Sequence, residues 1–162
     1  MAMKGSVIDL VYIFTFLLIF STCTIVAFMI MGEAGPQFAA MSPTSAEVIT
    51  SANTAIAGFD GLFVFMTFGM IMASIILAYY VDSHPIMFVV SFIVYIFVVM
   101  VSSIFSNIYQ SFVSTSGLST YAGSFTMMQQ IWFNLPTIAT VSGAMIIIVA
   151  YSKWRSSGGY QP

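Results

Sequence analysis

The polar chemistry available to this chain of 162 residues is small: three basic side chains, five acidic ones and one histidine. Its densest polar group is Asp82-Ser83-His84-Pro85. Histidine titrates near pH ~6.5, so with Asp82 beside it His84 could relay a proton. The same four residues also suit a tight turn, with Pro85 opening the next helix at its first position and Ser83 or His84 capping it. A metal site there is poorly filled, because no second nitrogen or sulfur ligand is near in sequence. Asp60 directly precedes Gly61 and an apolar run, which suits an N-cap of that run, with ion or partner binding as the alternative. Asp9 sits one turn into the first apolar run and reads as a solvated or paired end residue. Cys23, the one cysteine, lies within that run and reads as a small core residue.

Recognised catalytic constellations are missing from the sequence. There is no second histidine, no H-E-x-x-H, no phosphate-binding glycine loop, no G-x-S-x-G, and no pair of acids within one apolar run to divide acid and base roles. No enzymatic activity, cofactor or metal is expected. Nucleic acid is an unsuitable partner, since phosphate neutralisation needs clustered cations and only Lys4, Lys153 and Arg155 are present.

The elements that hold these residues follow from composition. The chain is 60% hydrophobic and 5% charged, with a mean hydropathy of +1.04, whereas a soluble domain carries roughly a quarter charged residues. Hydrocarbon is therefore its main solvent. Apolar runs at about 7–31, 62–81, 86–108 and 135–151 are each long enough, at about 1.5 Å per residue, to cross a core of about 30 Å. The expected fold is all-α: one integral membrane domain of four transmembrane helices, with short interfacial helices in its two longer connections and a flexible tail at 156–162. The first run is too long for the apolar part of a signal peptide, so it reads as a retained helix.

Lys4 before the first span and Lys153 with Arg155 after the last place both ends on the cytoplasmic or equivalent side. The longer connections, 32–61 and 109–134, then face outward and contain no Lys or Arg. The first opens with Gly32-Glu33-Ala34-Gly35-Pro36, read as the stop of the first helix. Thr44-Ser45-Ala46-Glu47 has capping-box spacing and predicts a short helix at 45–57, with Val48, Ile49, Ala52 and Ile56 on one side. In the second, Phe125, Met128 and Trp132 recur at helical spacing and predict a second interfacial helix. Small residues at Gly69/Ala73, Ser102/Ser106 and Ala139/Gly143 would let helices approach closely. Tyr79, Tyr80, Tyr109, Tyr151 and Trp154 suit interface belts.

The runs Phe59-Asp60-Gly61-Leu62-Phe63-Val64-Phe65, Ser83-His84-Pro85-Ile86-Met87-Phe88, Ser106-Asn107-Ile108-Tyr109 and Asn134-Leu135-Pro136 resemble small multi-span membrane proteins of tailless icosahedral phages that carry an internal membrane and a double jelly-roll capsid. The resemblance covers about 59–136 through short, sparse motifs. It implies a virion membrane protein supporting vesicle assembly, curvature or attachment to the shell, in the viral internal membrane or the host inner membrane. Its partners would be the lipid bilayer together with copies of itself, capsid proteins or other membrane proteins. Asp60, Ser83-His84-Pro85, Asn107 and Asn134-Leu135-Pro136 are the matching positions, and of these Asp60, Ser83, His84, Pro85, Asn107, Asn134 and Pro136 join Asp82 and Trp132 as candidates for structural or partner contact. A holin-like pore or small channel subunit, and an accessory subunit of a cellular membrane complex, are the alternative readings.

Overall fold

The computed structural model describes residues 8–80 and 85–156. Lys4, Asp82, Ser83, His84 and the tail beyond 156 lie outside the described residues, as does the side chain of Pro85. Every described element is a helix: α1 (Ile8–Met41), α2 (Pro43–Ala57), α3 (Phe59–Tyr80), α4 (Pro85–Val113), α5 (Leu118–Ala122), α6 (Thr126–Phe133) and α7 (Leu135–Ser156). Among the described residues, four helical stretches have the length and apolar character to cross a membrane: Asp9–Phe38, Thr44–Tyr80, Val89–Val113 and Leu135–Lys153. The chain is thus an all-α, helical membrane bundle.

The first helix corrects the expected stop at Gly32–Pro36. α1 continues through Pro36 to Met41, a rod of about 51 Å. Proline inside a helix removes one backbone bond, and tertiary contact offsets that loss here. A Cβ on Gly32 would stand 2.6 Å from a ring carbon of Tyr121, and one on Gly35 would stand 3.4 Å from Ile49. Gly32 thus serves a close approach, and Gly35 stands in ordinary contact with α2. The chain then reverses at Ser42, which caps α2 by accepting the Thr44 N–H at 3.3 Å, with Pro43 at the first turn. The cap therefore lies two residues before the expected capping box. α2 and α3 are almost continuous, because Gly58 keeps right-handed helical angles (φ −62°, ψ −19°).

Ring contacts fix the register. Phe20 meets Phe59 and Phe63 at centroid distances of 5.9 and 6.3 Å, so α3 lies against the first half of α1. The second half of α1 is covered by α2, through Gly35 and Ile49, and by the α5–α6 segment, through Phe28 and Phe125 at 5.2 Å. The molecule is a four-helix bundle of α1, α3, α4 and α7 with a helical head at one end. Short helices do occupy both longer connections; Phe125, Met128 and Trp132 of the second are fully buried, whereas Val48 of α2 is exposed.

Two of the three small-residue pairs sit at helix contacts. Ser102, Ser106, Ala139 and Gly143 are buried, and Tyr95 lies over Gly143, where a Cβ would meet its ring at 2.5 Å. The Tyr95 hydroxyl donates to the Thr140 carbonyl at 3.0 Å, tying α4 to α7. Gly69 and Ala73, in contrast, are exposed, and a Cβ on Gly69 would meet nothing within 4 Å. Cys23 is exposed as well, not a core residue, because it lies on the side of α1 opposite Phe14, Leu17 and Ile25.

Candidate functional site

The polar investment of the protein concentrates where the head meets the bundle. α6 begins after Phe125, whose side chain makes no cap hydrogen bond, so the amides of the first turn need an acceptor from elsewhere. Asp60 supplies it. Its Oδ2 accepts the Met127 N–H at 3.1 Å and its Oδ1 accepts the Met128 N–H at 2.7 Å. The negative charge also suits the positive end of α6. Asp60 therefore does not cap its own span, as expected from its neighbours; it is the second residue of α3 and caps a helix 67 residues later in the chain.

Around this cap is an aromatic layer. Trp132 stacks on Tyr109 at 5.2 Å with an interplanar angle of 17°, and Phe63 lies 6.3 Å from the indole. All three are fully buried. Tyr109 thus departs from the interface belt expected of it. Its hydroxyl and the Trp132 Nε1 have no hydrogen-bond partner in the structure. A second clasp joins the same parts: the Tyr121 hydroxyl donates to Glu33 Oε1 at 2.9 Å, linking α5 to α1. This hydrogen bond to a carboxylate pushes the Tyr121 phenol above its ordinary value.

Of the sequence candidates, the structure brings Asp60 and Trp132 into this layer. Asn107 is exposed on α4. Asn134 ends α6 by donating its side-chain amide to the Gln130 carbonyl at 2.8 Å, and Pro136 stands in the first turn of α7. Tyr109, Tyr121, Glu33 and Tyr95 were not singled out as contact residues. Only the glycine half of the Tyr95–Gly143 contact carried a local signal.

A carboxylate whose two oxygens each accept a backbone N–H is placed to hold a helix. It is poorly placed to take a proton from a substrate. Among the described residues, no three His, Cys, Asp or Glu side chains gather as a metal site would require. Inside the bundle the buried polar side chains are hydroxyls, on Ser21, Thr24, Thr67, Ser74, Ser102, Ser106 and Ser142. Thr67 donates to Phe63 O, Ser74 to Met70 O, Ser102 to Val99 O and Ser142 to Ile138 O, each within its own helix. Ser21 and Thr24 do the same in α1, and Ser106 accepts from Gln110 of its own helix. These groups lie among Phe14, Leu17, Phe63, Ile71 and Val98. They let helices pack closely without an unmet polar atom.

No family model matches the chain, and no curated protein or solved structure is similar to it at a significant level.

Proposed function

We propose that this chain is a non-enzymatic structural protein of a membrane: a four-span anchor that holds a stiff helical head against a neighbouring protein layer. One observation carries the reading. The buried serine and threonine hydroxyls of the bundle bond within their own helices, while the cross-helix bonds made by carboxylates, from Asp60 and Glu33, fasten the head. Such an interior serves packing, whereas a conducting path needs polar groups directed at a passing solute.

The resemblance to phage proteins with an internal membrane supports a particular setting, the vesicle beneath an icosahedral shell, with the head directed at the capsid and both chain ends inside. In that setting the chain supports vesicle assembly, curvature or attachment of the shell. The test is expression in bacteria with a dye-leakage and membrane-potential assay, followed by purification of the chain from assembled particles. Unchanged potential and co-extraction with lipid are expected. Rapid loss of potential would replace this reading with a holin-like pore, and stable co-purification with a cellular membrane complex would replace it with an accessory subunit.

A further inference from the structure

We draw no further inference here: the strongest candidate, the two buried donors of the Tyr109 hydroxyl and Trp132 Nε1 where α6 meets the bundle, belongs to the site already described, and nothing in the structure shows what would bind there.

Discussion

Replacing Asp60 with alanine isolates the cap that joins α3 to α6. The substitution removes acceptors from two amides, those of Met127 and Met128, and leaves α6 with no side-chain cap, since Phe125 provides none. Loss of an N-cap costs about 0.5–2 kcal/mol. The charge at the helix start contributes about 0.3–1 kcal/mol more. Asp60 is half-buried, so water restores part of what is lost, and a total of about 2 kcal/mol follows. At ~1.4 kcal/mol per decade, local opening of α6 becomes about 30-fold more populated. Asp60→Asn retains one acceptor oxygen and should show roughly half the free-energy effect. Hydrogen exchange of peptides covering 126–133, measured in nanodiscs, reads this directly, with Glu47→Ala on the exposed face of α2 as the neutral control. The reasoning fails if α6 exchanges in Asp60→Ala as slowly as in the parent. It also fails if all four spans accelerate equally, because Asp60 would then support insertion of α3 and not the seating of α6.

Other outcomes follow from the same contacts. Gly143→Ala drives a Cβ into the Tyr95 ring, whose hydroxyl is held by Thr140, and should cost about 1–3 kcal/mol in detergent unfolding; Gly69→Ala, with open space around it, should be neutral or slightly stabilising. The raised Tyr121 phenol means that the α1–α5 clasp contributes fully below the unfolded phenol value of ~10 and is lost as pH rises through the higher folded value. Alkaline titration at the tyrosinate absorbance should show a late-ionising component that Tyr121→Phe diminishes. Tyr109→Phe keeps the stack on Trp132 and deletes a buried hydroxyl without a partner, so thermal stability should hold or rise, whereas Tyr109→Ala should lower it by about 3 kcal/mol or more.

The four spans were legible because long apolar runs have few alternatives to crossing a bilayer. Their ends were less so. α1 outruns Gly32–Pro36 because those glycines are contact points for Tyr121 and Ile49, and a glycine serving a distant ring looks locally like one ending a helix. For Asp60 the chemistry of capping was readable while the helix it caps was not, since nothing near residue 60 points to residue 127. Periodicity found the apolar side of α6 through Phe125, Met128 and Trp132, but spacing alone does not distinguish lipid from protein as its cover. The same ambiguity hid the exposure of Cys23. Tyr109 was read from its place at a span end, and only the arrival of α6 at that level explains its burial.

The near-continuity of α2 and α3 through Gly58 gives the molecule a mechanical character. Two rods of more than thirty residues each, α1 and the α2–α3 pair, rise together from the bundle and meet at Ser42. Because no loop separates α2 from α3, a displacement at Ser42 would be carried along the rod to the seat of α6 on Asp60. The reversal at Ser42 thus stands at the end of an arm of about 27 Å on one side of Asp60, nearly as long as the roughly 30 Å of α3 on the other.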